Sequence, residues 1–174
     1  MTIERASSRG LGVALVSLHH RAEHLLALIP QSLPLLALRI GLAIPFFKSG
    51  LTKWDGFLTL STGARFLFEQ EFKLHIFGSQ FSYPMPLAMA AAAGIAELAL
   101  PVLLVLGLFT RYAALGLLAM TAVIQLTIPD GWANFHLPWA AMALTLVVYG
   151  GGRIALDPLV KLRSEWPTRP ISNS

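Results

Sequence analysis

The chain has 174 residues, of which 55% are hydrophobic and only 13% are charged, whereas an ordinary soluble domain carries about 25% charged residues. This composition excludes a water-soluble globule and a disordered chain. The length suits one domain of about four membrane-spanning helices, at about 20 residues each. The excess of 13 basic over 9 acidic residues favours membrane lipids of an anionic leaflet, not nucleic acid, as the partner.

Residues 1–30 are predicted to form an N-terminal amphipathic helix that lies on the membrane surface. Apolar side chains recur at helical spacing along this segment, at positions 11, 15, 18, 22, 25 and 29. No small-residue cleavage site follows, so the segment is not interpreted as a signal peptide. His20 and His24 are four residues apart but lack a third ligand, and the chain has no cysteine, so no metal site is expected.

Four long apolar stretches follow, with approximate spans 33–52, 87–108, 112–128 and 135–152. Each must be helical, because an open strand in lipid leaves its backbone groups without partners. They form one membrane domain over residues 31–160, followed by a tail at 161–174. The sequence therefore predicts an all-α integral membrane protein built as a bundle of four transmembrane helices.

The segment between the first two spans is long and rich in phenylalanine. Ser61 and Thr62 are good helix caps, and residues 64–77 are predicted to form an amphipathic helix that Gly78 ends. Arg65, Glu69 and Lys73 follow each other at i,i+4 spacing, as on an exposed face. This 61–78 helix is either an interfacial anchor or a lid over a lipophilic site.

Basic residues in the flanks predict the orientation. The side of both termini carries Arg5, Arg9, Arg21, Arg111, Arg153, Lys161, Arg163 and Arg169, and the other side carries Lys53, Arg65 and Lys73. The larger basic cluster is expected on the cytoplasmic face, so both termini are predicted to be cytoplasmic.

Motifs along the chain resemble those of the DoxX family. The first apolar helix carries Arg39 and is followed by G-x-x-K-x-x-G-F at residues 50–57. The other matching motifs are PMP at 84–86, AEL at 96–98, GLFTR at 107–111 and GGGRIALD at 150–157. Their order and spacing match the family over residues 35–160.

The resemblance implies a multi-pass protein of the bacterial inner membrane with four helices. Some members of the family are named as subunits of a thiosulfate:quinone oxidoreductase, and others are associated with oxidative-stress or metal-handling gene clusters. If this chain takes part in catalysis, the resemblance implies that it does so as a subunit of a quinone-linked oxidoreductase. A quinone is then the candidate cofactor, with none bound covalently, and a membrane or periplasmic redox protein is the candidate partner.

Three charged residues lie within the predicted spans: Arg39, Lys48 and Glu97. A carboxylate in lipid is costly unless it is paired or protonated, and Arg39 is expected to be the partner of Glu97 because the two residues are predicted at similar depths. This pair is either an interhelical ion pair that fixes the bundle register or part of a proton-accepting or headgroup-binding site. Lys48 is expected to extend to the outer interface.

A ligand pocket is expected between the first, second and fourth spans. Its candidate cofactor-binding residues are Arg39, Phe46, Gly50, Lys53, Glu97 and His136. Glu97 and His136 are also the candidate catalytic residues, since both can exchange protons. An alternative for His136 is an interfacial histidine that faces water.

Two functions remain open at this level. In the first, the chain is a redox-associated membrane subunit that binds a quinone or similar lipophile and works with a cofactor-bearing partner. In the second, it is a non-catalytic structural or accessory subunit of a larger complex. The sequence shows no inverted repeat that would favour a transporter.

Overall fold

The computed structural model describes residues 16–158. The described chain begins in helix α1, at residues 16–27, whose side chains are exposed. The N-terminal segment predicted at 1–30 therefore falls only in part within the described residues, and the tail predicted at 161–174 lies outside them.

Four long helices form the body of the protein. They are α2 (Ser32–Leu51), α4 (Pro86–Leu106), α5 (Thr110–Thr127) and α6 (Leu137–Tyr149). Helix α2 packs against α4 and α6, and α5 packs against α4 and α6. Each end lies within three residues of the predicted span, because the apolar runs end at turn-forming glycine and proline residues.

The core takes one fully buried leucine from each long helix: Leu42, Leu104, Leu117 and Leu146. Outside this core, large apolar side chains face outward, including Ile44, Ile95, Val102 and Leu144. Only 28% of the apolar window in α2 and in α4 is buried, whereas a core helix of a soluble protein hides most of its apolar surface. Within the described residues, α2 and α4 are the two helices that are long and apolar enough to cross a membrane.

A tight turn at Gly107 joins α4 to α5. Gly107 adopts a φ of +70°, a conformation that glycine enters without steric cost. The Leu108 N–H donates to the carbonyl oxygen of Leu103 at 2.9 Å, which closes the end of α4 in the usual glycine-capped way. So short a connection forces the two helices to run antiparallel.

The helix predicted over residues 64–77 is wrong. Ser61 does cap a helix, since its Oγ accepts from the Ala64 N–H at 3.1 Å. That helix, α3, covers only Thr62–Phe66 and continues into one π-helical turn at Leu67–Glu71.

An antiparallel hairpin takes the place of the second half of the predicted helix. Strands β3 (Lys73–Ile76) and β4 (Ser79–Ser82) pair through a two-residue turn. In that turn Phe77 and Gly78 have φ values of +50° and +79°, which is the geometry of a tight hairpin turn. Gly78 therefore turns a hairpin and does not stop a helix, and Lys73 leaves the expected i,i+4 ladder.

A smaller hairpin follows α2 directly. Strand β1 (Trp54–Gly56) pairs with β2 (Thr59–Leu60), so the structure is mostly helical instead of all-α. The indole ring of Trp54 lies against Gly94 of α4, where a Cβ would come within 2.8 Å of the ring. Gly94 thus allows the hairpin to sit on α4.

Candidate functional site

A cavity of about 860 Å³ lies between α2, α4, α5 and the beginning of α6. Its walls are mainly apolar and aromatic, and include Phe46, Met89, Ala93, Met120, Val123, Ile124, Phe135 and Trp139. Four of the predicted pocket residues line it: Phe46, Lys53, Glu97 and His136. Helix α5 also forms a wall, which the predicted location between the first, second and fourth spans did not include.

The charged part of the wall is an ion pair between Lys53 and Glu97. Lys53 Nζ lies 2.6 Å from Glu97 Oε2, and the two side chains are 12% and 6% exposed. The same ammonium also donates to Ser49 Oγ at 3.1 Å. Lys53 follows the end of α2, and its side chain extends back along that helix to reach Glu97 on α4.

Gly50 does not line the cavity but allows this pair to form. A Cβ at Gly50 would lie 3.0 Å from Glu97 Cβ and 2.9 Å from Leu98 Cδ2. Any side chain at this position would push α2 away from α4. The close approach expected of Gly50 is therefore to a neighbouring helix and not to a ligand.

The predicted Arg39–Glu97 pair is wrong. Arg39 is 1% exposed, and its guanidinium donates to backbone carbonyl oxygens. Its Nε lies 2.7 Å from Leu104 O, its Nη1 lies 2.6 Å from Ile154 O, and its Nη2 donates to Val105 O. Arg39 is absent from the cavity lining, so it is not a ligand-binding candidate.

The physical reason is the depth of the two residues. Leu104 is seven residues beyond Glu97 on α4, which is about 10 Å along a helix. The last carbonyls of a helix lack partners within it and carry the negative end of its dipole. The guanidinium of Arg39 donates to these carbonyls of α4. The sequence prediction was wrong because it matched opposite charges and left backbone carbonyls out as acceptors.

The predicted motifs around residues 107–111 and 150–157 meet at this same end of the bundle. The Thr110 N–H donates to Asp157 Oδ2 at 3.1 Å, and the Asp157 N–H donates to Gly107 O at 2.9 Å. Arg39 Nη1 also donates to Gly151 O at 3.2 Å. The Arg39 end of the bundle is thus a hydrogen-bonded junction of three segments.

At the cavity, His136 is nearly fully buried, at 3% exposed. Its Nδ1 lies 2.6 Å from Gln125 Oε1, so it does not simply face water. His136 is the last residue of the π-helical turn Trp132–His136, which leads from α5 into α6. Gln125 was not predicted as a site residue, although the one amide side chain in α5 is a signal that could have identified it.

The segment between α2 and α4 covers the cavity. Phe68, Phe72 and Tyr83 all line it, and the rings of Phe68 and Tyr83 lie 5.6 Å apart. The Tyr83 hydroxyl is 2.6 Å from Thr127 Oγ1 at the end of α5. The segment was predicted to be either an interfacial anchor or a lid over a lipophilic site, and these contacts agree with the lid.

Together the fold and the cavity define a mostly helical protein that has two helices able to cross a membrane and an apolar pocket at one end of its bundle. The DoxX family model matches residues 34–130, and the chain belongs to that family. It is 31% identical over 154 residues to an uncharacterized protein of Haemophilus influenzae, covering 81% of this chain and 91% of that relative. No solved structure matches the chain.

Proposed function

We propose that the protein binds a quinone or a similar lipophile in the cavity and works with a cofactor-bearing partner in the bacterial inner membrane. The observation that supports this is the composition of the cavity wall. Small-molecule pockets measure about 300–1,000 Å³ and are mainly apolar and aromatic, with a few placed polar groups. This cavity has that volume and character, and its polar groups include Lys53, Glu97 and His136.

A bound quinone would supply two-electron redox chemistry. The chain's own residues would bind and orient its head, with the Lys53 ammonium as a hydrogen-bond donor and the aromatic cover excluding water. The chain has no cysteine, so cysteine-based electron carriers must belong to the partner.

The proposal places all four long helices across the membrane with both termini in the cytoplasm. Helices α5 and α6 have 18 and 13 residues, and α6 is extended by the π-helical turn at Trp132–His136. Because the chain lacks cysteine, single cysteines can report the orientation. We expect a membrane-impermeant maleimide to label Ser79→Cys in intact spheroplasts, and Tyr112→Cys only after lysis. The reverse pattern rules out this orientation.

A second candidate, a non-catalytic accessory subunit, is favoured by one observation. The Glu97 carboxylate already has a partner in Lys53 at 2.6 Å. A purely structural role, holding two helices in register, is sufficient to explain such a pair. In that case the cavity would bind no redox lipophile with useful affinity.

Binding of decylubiquinone to the purified protein in detergent tests the proposal. Trp139 lines the cavity, so its fluorescence should be quenched on saturable binding, and the protein should gain thermal stability by mass action. Ala92→Phe should weaken binding at least about tenfold by filling a cavity of this type, because Ala92 is exposed and lines the cavity. Ala99→Phe is the matched control, since Ala99 is exposed on the same helix outside the cavity.

Two results would contradict the proposal. Absence of saturable quenching and of stabilisation would leave the accessory subunit as the better function. Equal effects of Ala92→Phe and Ala99→Phe would show that the quinone binds elsewhere, for example in the detergent belt around the helices.

A further inference from the structure

The hydrogen bonds of Gln125 fix the orientation of its side-chain amide. Gln125 Nε2 lies 3.1 Å from the carbonyl oxygen of Pro129. That carbonyl can only accept, so the facing atom must be the NH₂ group. The other amide atom, Oε1, is therefore the one that lies 2.6 Å from His136 Nδ1.

This geometry also fixes the tautomer of His136. An amide oxygen can only accept, so Nδ1 of His136 must carry a hydrogen. His136 is 3% exposed and forms no ion pair with any residue in 16–158. The carboxylates of Asp130 and Glu97 line the same cavity, but neither forms an ion pair with the ring, so an imidazolium there would be an unpaired buried charge. The ring is neutral, which makes Nε2 an unprotonated acceptor.

The Nε2 atom of His136 has no hydrogen-bond partner among residues 16–158. His136 lines the cavity, and among residues 16–158 its hydrogen-bond partner is Gln125, through Nδ1. The ring is held against Gly131, where a Cβ would come within 2.6 Å of Cε1 and 2.8 Å of Nε2. Gly131 thus lets the ring sit in this position, and a side chain there would displace it.

We infer that the cavity prefers the reduced, phenolic form of its lipophile, whose O–H donates to Nε2 of His136. An oxidised quinone has only carbonyl acceptors, and a carbonyl oxygen facing the Nε2 lone pair makes no hydrogen bond. A hydroquinone carries the missing donor, and its second oxygen can accept from the Lys53 ammonium. This inference rests on the proposed function and adds the redox state of the ligand.

Gln125 is then a positioning residue for His136. If the Nδ1 acceptor is removed, the imidazole can place its hydrogen on Nε2 and donate to a quinone carbonyl instead. Gln125→Met removes the acceptor. Gln125→Glu keeps an oxygen that accepts from Nδ1 but adds an anion, which stabilises the imidazolium and places a hydrogen on Nε2 as well. Both variants therefore convert Nε2 into a donor, by two different routes.

The test compares the dissociation constants of decylubiquinol and decylubiquinone under anaerobic conditions. We expect the wild-type protein to bind the quinol about tenfold more tightly, the factor that one well-made hydrogen bond provides. Gln125→Met and His136→Phe should bring the ratio within about twofold, and Gln125→Glu should also remove the preference for the quinol. The matched control is Gln80→Met, because Gln80 and His75 form a similar pair, 3.2 Å apart, outside the cavity.

The outcomes separate this inference from the proposed function. Equal affinity for both forms in the wild type overturns the inference while lipophile binding stands. A preference that survives Gln125→Met in folded protein overturns the role of Gln125. Binding of neither form overturns the proposed function, and the inference with it.

Discussion

Replacing Arg39 by lysine tests whether this residue is a structural clamp and not part of the binding site. The guanidinium donates to the carbonyls of Leu104, Val105, Gly151 and Ile154 from one planar group. A lysine ammonium keeps the charge but is a compact point donor, which cannot match the fork geometry of arginine.

The expected loss of stability follows from these four bonds. A hydrogen bond to a charged group contributes about 1.5–3 kcal/mol, and a buried acceptor left without a partner costs a comparable amount. If the lysine keeps two of the four bonds, the variant loses at least about 3 kcal/mol. For a chain of this length, 1 kcal/mol corresponds to about 2–4 °C, so Tm should fall by about 6–12 °C.

The assay is thermal unfolding of the purified protein in detergent, followed by ligand binding below Tm. Arg65→Lys is the control, because Arg65 is exposed on α3, and such changes usually stay within about 0.5 kcal/mol. Quinone affinity of the folded Arg39→Lys protein should be unchanged, since Arg39 lies outside the cavity. A loss below about 1 kcal/mol, or a weaker ligand affinity without loss of stability, would refute the reasoning.

Three further predictions concern other parts of the bundle. Gly107→Ala should cost about 1–3 kcal/mol, measured as a fall in Tm, because its Cβ would lie 2.6 Å from Ala155 Cβ. Glu97→Gln should lower the free energy of unfolding by about 3–5 kcal/mol, because it leaves the Lys53 charge unpaired. Adding Lys53→Met to Glu97→Gln should restore part of this stability. If the losses of the two single variants simply add in the double variant, Lys53 and Glu97 do not interact. Phe68→Ala should lose about 3–5 kcal/mol and speed ligand release measured by stopped-flow fluorescence, whereas an unchanged release rate would mean that Phe68 does not close the cavity.

The candidate site could be predicted in part from residue type. Phe46, Lys53, Glu97 and His136 stand out as aromatic or ionisable groups near apolar spans, and all four line the cavity. Gln125 was not predicted because its place in the site depends on a hydrogen bond with His136, which is eleven residues away across a turn.

The hairpin at residues 73–82 shows a similar limit. The spacing of Arg65, Glu69 and Lys73 fits a helix. Spacing along the sequence does not show whether this helix is more stable than a hairpin with a tight turn at Phe77 and Gly78. The choice depends on packing, because the hairpin lies against α5, with His75 Nδ1 3.1 Å from the carbonyl oxygen of Leu126.

The sequence by itself determined the class of the protein, its four long helices and its family motifs. These features follow from composition and from local runs of apolar residues, which need no knowledge of neighbours in space. Tertiary structure alone decided the partners of the charged residues. Glu97 meets Lys53 because Gly50 lets α2 and α4 come close. Arg39 meets the carbonyls at the end of α4 because Gly107, where a Cβ would lie 2.7 Å from Arg39 Nη2, leaves room for the guanidinium. Pairing depends on the relative depth and distance of helices, and these are set only when the helices pack.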